Sequence, residues 1–260
     1  MARPHPDTMT FLEHLDELRQ RLVRCALALV AGTAVCWSFR ERIFHVMTQP
    51  MRDAGYKDAF IYTSPAEALM LYMKMAFFVG IFLASPYVLW EIWGFISPGL
   101  HKHEKSWAVP FVGMGSTFFT LGALFGHLFL FPLTFRFLGE FGGADMKFLP
   151  KIDEYYSFYS WFLLGLGLVF QIPVVIFVLA RIGLVTPRFL LKGWKWVIVG
   201  AFVASAFITP TADMVIQSFL ALPMIGLYFL GVGVAWLFGR DRRHADVGLP
   251  AQADEPSSAR

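Results

Sequence analysis

The sequence predicts an all-α membrane protein: a polytopic transmembrane bundle of six helices, with short fifth and sixth spans and both termini in the cytoplasm. Hydrophobic residues make up 57 % of the 260 residues and charged residues only 16 %, whereas about a quarter of the residues in soluble domains are charged. The apolar residues lie in long blocks between charged clusters. Most of these blocks reach the length of about 20 residues that a helix needs to cross a bilayer.

Residues 1–21 predict a cytoplasmic amphipathic N-terminal helix. Thr10 and Glu13 fit a capping box, which marks the start of a helix. An apolar stripe at helical spacing follows, formed by Phe11, Leu15, Leu18, Leu22 and Cys25, and a second face carries His14, Glu17, Arg21 and Arg24. Such a helix lies on the membrane surface and leads into the first span. Its charges either take part in recognition or are simply solvated.

Six apolar segments follow within residues 22–238, the predicted transmembrane domain. They are Leu22–Phe39, Leu71–Ile96, Trp107–Phe131, Phe158–Leu179, Trp196–Ile208 and Val215–Phe238. The fifth covers about 20 Å at 1.5 Å per residue, which is well short of a hydrocarbon core of roughly 30 Å. Thr209-Pro210-Thr211 ends it abruptly. A short span requires a locally thinner bilayer or shielding by its neighbours.

The distribution of Lys and Arg predicts the orientation of the bundle. The loops and tails on the side of the two termini hold about twice as many of these residues as the other side, so the positive-inside rule places both termini in the cytoplasm. The loops near 40–70 and 132–157 then face outward. Residues 239–260 are polar and rich in Ala, Asp and Ser, a composition that predicts a disordered cytoplasmic tail.

A charged loop follows the second apolar segment. Pro98-Gly99 stops the helix and turns the chain. Beyond it, Glu104 lies among basic neighbours that include Lys102 and Lys105. This carboxylate either balances those neighbours or pairs with an external cation, and an arginine would bind it through two parallel hydrogen bonds. The nearby pair His101 and His103 splays apart at its spacing, so the sequence predicts no metal site.

Several polar residues fall inside the apolar segments, namely Lys74, Glu91, His127, Gln171, Asp213 and Gln217. Such groups face a bundle interior or a cavity. We interpret Lys74 as snorkelling outward, His127 as a helix–helix hydrogen bonder and Asp213 as a cap of the sixth helix. Gln171 lies two residues before Pro173, whose ring frees a backbone carbonyl. A polar side chain beside a kink predicts a wet or ligand-facing concavity.

The sequence contains no set of residues that predicts catalysis. It has no G-x-S-x-G or H-E-x-x-H motif and no glycine-rich phosphate loop, so we expect no catalytic residue and no cofactor. The modest net charge of +3 gives no reason to expect a nucleic-acid partner. A transporter for a small solute remains an alternative, favoured by the proline-broken helices and disfavoured by the absence of an internal repeat.

Five segments in order together resemble the TatC family, the polytopic subunit of the twin-arginine protein translocase. They are His14–Leu22, Phe95–Glu104, Phe131-Pro132-Leu133, Phe170–Val174 and Thr209-Pro210 followed by Asp213 and Gln217. The resemblance covers nearly the whole chain to about Phe238. It implies a receptor in the bacterial inner membrane that binds Arg-Arg signal peptides of folded precursor proteins. It also implies a multimeric complex with the single-span subunits TatA and TatB, driven by the transmembrane proton gradient.

The resemblance also implies roles for individual residues. Glu17 and Glu104 would form the acidic pair that receives the two arginines, and Arg19 and Phe95 would belong to the same recognition surface. The positions that match family residues linked to partner contact or transport are Pro50, Gln171, Asp213 and Gln217. The family often carries Glu where this chain has Gln, at position 171. Because an amide cannot titrate, a proton-sensing role does not extend to this position.

Overall fold

The computed structural model describes residues 11–55, 60–96, 108–140, 151–209 and 213–238. Regular structure in these ranges is helical, apart from an isolated bridge between Ile61 and Lys151. The predicted all-α fold class is therefore confirmed. Thr10, the loop that contains Glu104, and the tail 239–260 lie outside the described residues.

The helices follow one another along the chain as α1 (Phe11–Trp37), α2 (Arg40–Asp53), α3 (Pro65–Ile96), α4 (Ala108–Phe125), α5 (Phe131–Glu140), α6 (Ile152–Val169), α7 (Ile172–Arg181), α8 (Pro187–Lys192), α9 (Trp194–Ile208) and α10 (Met214–Phe238). A π-helical turn, Gly126–Leu130, joins α4 to α5. Among the described helices, five apolar stretches are long enough to cross a membrane, and α9 is a shorter apolar helix. Each of the six predicted spans coincides with one of them.

The first and sixth spans differ from the prediction in their lengths, whereas the fifth agrees with it. α1 is one continuous helix of 27 residues, which joins the described part of the predicted amphipathic segment, residues 11–21, to most of the first span. α9 has 15 residues, or about 22 Å of helix, so the short fifth span is confirmed. α10 has 25 residues, so the predicted shortness of the sixth span is wrong. Pro223 lies inside α10 without ending it, because spanning helices tolerate proline where neighbouring groups satisfy the freed carbonyl.

α1 packs along α3 through a close approach of the two backbones. A Cβ atom added at Gly32 would lie 2.9 Å from the carbonyl oxygen of Gly80, and one added at Gly80 would lie 2.8 Å from the backbone nitrogen of Thr33. Only glycine allows this approach. The two helices run antiparallel, because the start of α1 contacts the end of α3. We term the end of the bundle where α1 starts the N-terminal end, and the opposite end the α2 end.

The α2 end holds a dense aromatic core. Phe131 is fully buried, and its ring centroid lies 5.5 Å from that of Tyr155. The hydroxyl of Tyr155 donates to the carbonyl of Met47 on α2 at 2.7 Å, and that of Tyr156 donates to the carbonyl of Lys74 on α3 at 2.6 Å. These bonds hold α2 and α3 against α6, since buried hydroxyls and carbonyls need partners.

Small residues also mark the contact between α4 and α6. A Cβ atom at Gly122 would lie 2.7 Å from the carbonyl oxygen of Leu166, and one at Gly126 would lie 2.6 Å from the Leu166 side chain. The spacing of four residues places both glycines on one face of the helix. This pair therefore serves tight helix packing.

Gly80→Ala should lower the free energy of unfolding by about 1–3 kcal/mol, because the new methyl group forces α1 away from α3. Gly226→Ala is the matched control on α10, since no described atom lies within 4 Å of its added Cβ. It should gain up to about 1 kcal/mol from helix propensity. Thermal unfolding in detergent micelles measures both variants, and equal stabilities would contradict the close packing of α1 on α3.

Candidate functional site

Arg21 joins two carboxylates at the N-terminal end of the bundle. Its Nε and Nη2 atoms both donate to Oε1 of Glu17, at 3.0 and 2.6 Å. Its Nη1 donates to Oε2 of Glu91 at 2.9 Å. Glu17 lies one turn before Arg21 on α1, whereas Glu91 belongs to α3. These charge-assisted bonds tie the two helices together, and we term the three residues the carboxylate cluster.

Glu91 is the most buried member of the carboxylate cluster, with 5 % of its surface exposed. A carboxylate at this depth requires partners, because an unpaired buried charge is costly. The hydroxyl of Tyr87 donates to its Oε1 at 3.0 Å, and Nη1 of Arg24 lies 3.7 Å from the same oxygen. The guanidinium of Arg21 also lies directly against Gly94, where an added Cβ would overlap it. Glu91 is therefore held on both oxygens.

Glu17 has one oxygen that receives no hydrogen bond from the described residues. This atom, Oε2, is closed to solvent and lies 3.8 Å from Nδ1 of His14, which is too long for a hydrogen bond. The His14 ring stacks on Phe95, with centroids 4.4 Å apart and an interplanar angle of 18°. A guanidinium suits such a place, because its N–H groups fit a carboxylate and its flat face stacks on aromatic rings.

An apolar groove of about 590 Å³ lies beside the carboxylate cluster. Its walls come from several helices and include Leu29, Ile81, Phe111, Phe119, Leu168 and Val178. α3 contributes Ile92 to the groove and the adjacent Glu91 to the cluster. The charged cluster and the groove are therefore neighbours along α3. Together they could accept a ligand with a cationic end and an apolar continuation.

Gln171 supplies a polar group to this groove. It lies at the break between α6 and α7, two residues before Pro173, and it lines the groove. Its Nε2 donates to the carbonyl of Gly115 on α4 at 2.9 Å. The predicted concavity beside the kink is therefore present. The hydrogen bond ties the kink to α4, and the rest of the groove is apolar apart from Ser85.

The remaining residues named from the sequence lie in different surroundings. Arg19 is exposed on α1, and Pro50 is fully buried within α2. Glu104 lies outside the described residues. Oδ1 of Asp213 accepts from two backbone N–H groups in the first turn of α10, at 2.7 and 3.2 Å, so its predicted role as a cap is confirmed. Gln217 is half-buried one turn later. The carboxylate cluster is formed by α1 and α3, so neither Asp213 nor Gln217 belongs to it.

Two other polar groups within the spans have partners on another helix. His127 is buried and hydrogen-bonds the Tyr159 hydroxyl through Nδ1 at 2.9 Å, which confirms the predicted contact between helices. Lys74 pairs with Asp153 at 2.5 Å, so it does more than the predicted snorkelling. In the described ranges, no three His, Cys, Asp or Glu side chains cluster closely enough to hold a metal ion.

The pairing of Arg21 with Glu91 was not predicted from the sequence. A signal for it existed, because a carboxylate inside an apolar helix needs a counter-ion and Arg21 and Arg24 lie three residues apart on one helix face. The sequence did not show which helix packs against α3. Arg21 and Glu91 are 70 residues apart in the chain, and hydropathy patterns do not specify such neighbours.

Comparison with known proteins relates this chain to a family of protein translocase components. Residues 13–223 match the family described as TatC, Sec-independent protein translocase protein. A protein of that name from Koribacter versatilis is 38 % identical over 235 residues, which covers 88 % of this chain and 86 % of the relative. The protein of that name from Desulforapulum autotrophicum is 38 % identical over 250 residues, with 94 % and 92 % covered.

The fold also matches solved structures. A crystal structure described as the twin arginine translocase receptor TatC superposes with a TM-score of 0.75 at 33 % identity, covering 86 % of this chain and 99 % of the other. A second crystal structure, described as the same receptor in DDM, gives a TM-score of 0.76 at 33 % identity with the same coverage. The bundle described above is thus similar to theirs over most of its length.

Arg21→Met should lower the free energy of unfolding by about 2 kcal/mol, because it leaves Glu91 buried with weaker partners. The double variant Arg21→Met/Glu91→Met should regain most of that loss, since an apolar pair of similar volume replaces a buried ion pair. Thermal unfolding in detergent micelles would measure both. If the double variant were as unstable as the single one, the charge of Glu91 would not be what Arg21 stabilises.

Proposed function

This chain belongs to the TatC family of Sec-independent protein translocase proteins, and we propose that it is the subunit that binds the Arg-Arg signal peptides of folded precursor proteins. The family consists of translocase components rather than enzymes, and the chain is a multi-pass membrane protein. In the proposal, Glu17 and Glu104 receive the two arginines, and Arg19 and Phe95 complete the recognition surface. The similarity to a solved twin arginine translocase receptor supports this assignment.

The observation that carries the proposal is the state of Glu17. Its Oε1 already holds a guanidinium, that of Arg21, through two N–H groups. Its Oε2 accepts no hydrogen bond from any described residue and lies next to the stack of His14 on Phe95. A half-buried carboxylate with unused acceptor capacity favours an arginine ligand, because arginine donates in a fixed planar fork.

The apolar groove supports the second half of the proposal, namely that the hydrophobic part of the signal lies along the bundle. The groove is apolar apart from Gln171 and Ser85, and it adjoins the carboxylate cluster along α3. A peptide with arginines at one end and an apolar stretch after them matches this order of surfaces. Apolar side chains gain about 25 cal/mol for each Å² removed from water, so the groove adds affinity without adding charge selectivity.

The proposal includes the orientation and the partners. We propose that the protein lies in the bacterial inner membrane with both termini and the N-terminal end of the bundle in the cytoplasm, following the positive-inside rule. TatA and TatB would act with it in a multimeric Tat complex, driven by the proton gradient. Residues proposed for partner contact or transport are Pro50, Gln171, Asp213 and Gln217. In the same proposal, residues 1–21 lie at the cytoplasmic surface, 22–238 span the membrane and 239–260 form a cytoplasmic tail.

Glu17→Gln should weaken binding of a synthetic twin-arginine peptide to the purified protein by about tenfold or more, because charge-assisted hydrogen bonds are lost. Glu104→Ala should have a similar effect. Asp16→Asn is the matched control, since this neighbouring carboxylate is exposed on another face of α1. Fluorescence anisotropy in detergent or nanodiscs gives the dissociation constants. Unchanged affinity for the Glu17 or Glu104 variant would remove that residue from the site.

Photo-crosslinking should locate the apolar part of the signal. A crosslinking amino acid in place of Val178, which lines the groove, should label a bound twin-arginine peptide. The same amino acid in place of Leu222, which is exposed on α10, serves as the matched control and should give little product. Equal labelling from both positions would contradict the proposal that the hydrophobic segment of the signal lies in the groove.

A further inference from the structure

We propose that Arg21 is an internal competitor for the peptide site: it occupies Glu17 when no ligand is bound, and Glu91 retains it when an incoming guanidinium takes its place. The inference rests on the proposed function, since it concerns the same carboxylate. It assigns roles to two residues, Arg21 and Glu91, that the family resemblance does not cover. The consequence is that Arg21 sets how strongly a cationic ligand must bind before it can occupy the receptor.

The first step is that Arg21 makes the kind of contact expected of a ligand arginine. Its Nε and Nη2 atoms both donate to Oε1 of Glu17. Glu17 and Arg21 are separated by one helical turn on α1, so this contact forms without any other chain. A ligand guanidinium cannot use the same oxygen fully while Arg21 holds it. Binding at Glu17 is therefore an exchange of one guanidinium for another.

The second step is that Arg21 has an alternative anchor. Its Nη1 is bound to Oε2 of Glu91 at 2.9 Å, and its guanidinium lies against Gly94. When the bonds to Glu17 break, this contact keeps Arg21 paired in the bundle and out of the groove. Glu91 also keeps the bond from Tyr87 at 3.0 Å, so its own position does not depend on Glu17. The cluster thus has two arrangements, with Arg21 shared between two carboxylates or held by Glu91.

The third step explains why a twin-arginine ligand succeeds in the exchange. Arg21 uses one oxygen of Glu17 and leaves Oε2 without a hydrogen bond from the described residues. Oε2 is closed to solvent in this arrangement, so the exchange requires the Glu17 side chain to turn outward when Arg21 leaves. A ligand arginine can then engage both oxygens in a fork, which is the stronger geometry. The ligand therefore forms bonds that the internal competitor does not. A lone ammonium group is a point charge without this fork, so it gains less from the same exchange.

Competition of this kind has a definite thermodynamic signature. The apparent association constant of every ligand is its intrinsic association constant multiplied by the fraction of receptors in which Arg21 has released Glu17. This fraction is the same for all ligands. The ratio between two ligands is unchanged, since both bind the released state. Removing Arg21 should therefore tighten all cationic ligands equally. A residue that merely positions Glu17 would act in the opposite direction, because its loss would weaken binding and disturb the ratio.

The test compares the dissociation constants of Arg-Arg and Lys-Lys peptides for full-length variants in nanodiscs. Glu91→Gln should weaken both peptides by a common factor of about tenfold, because Arg21 then has Glu17 as its main carboxylate partner. Arg21→Gln/Glu91→Gln, which removes the internal competitor together with the buried charge of Glu91, should bind both peptides tighter than the wild type, again by about tenfold. Glu91→Gln thus has no weakening effect once Arg21 is absent.

Arg188→Gln is the control for the loss of one positive charge, since Arg188 is exposed on α8. It should change both affinities far less than the double variant does. The inference is overturned if the double variant weakens the Arg-Arg peptide, or if the ratio between the peptides changes as much as the affinities. If the wild type fails to bind the Arg-Arg peptide, or Glu17→Gln binds it normally, the proposed function itself fails. The two failures are therefore distinguishable.

Discussion

The need of one buried carboxylate for a counter-ion organises the N-terminal end of this bundle. Glu91 lies inside α3 with 5 % of its surface exposed, where an uncompensated charge is expensive. Arg21 on α1 donates a hydrogen bond to this carboxylate at 2.9 Å. Because Arg21 also binds Glu17, the two carboxylates lie around one guanidinium. The approach of Gly32 to Gly80 further along the same two helices brings them close enough for this contact. Packing and charge therefore depend on one another in the α1–α3 pair.

Composition and hydropathy were sufficient to predict the helices, because a chain in a bilayer must satisfy its backbone groups internally. The six segments, the short α9 and the kink before Pro173 follow from local sequence. The sixth span was predicted to be short, although its apolar segment runs from Val215 to Phe238 and contains Pro223. In the structure, Asp213 caps α10 and the proline is accommodated. The local sequence identifies a helix-breaking residue but not the neighbouring groups that compensate for it.

The candidate site shows the same contrast between residues that the sequence identifies and contacts that depend on helix packing. Resemblance to a family pointed to Glu17 and Phe95, and the structure places them around His14, which stacks on Phe95 and lies 3.8 Å from Glu17. Gln171 was recognised from its position beside a kink, and it lines the groove. Glu91 was recognised only as a polar residue inside an apolar segment, since its partner is 70 residues away in the chain. Contacts within one helix are readable from spacing, whereas a pair between helices requires knowledge of the packing.

The two ends of the bundle use their polar groups differently, and this difference bears on where recognition takes place. At the α2 end, the Tyr155 and Tyr156 hydroxyls donate to backbone carbonyls of α2 and α3 within a buried aromatic core. At the N-terminal end, one guanidinium is shared by two carboxylates, and one oxygen of Glu17 receives no hydrogen bond from a described residue. Closed, fully satisfied contacts make a rigid frame, while shared contacts can be exchanged with little loss. A receptor that holds its own charges when empty and releases them to a ligand needs both kinds of contact. This difference supports the proposed binding at the N-terminal end, with the α2 end keeping the helices in register.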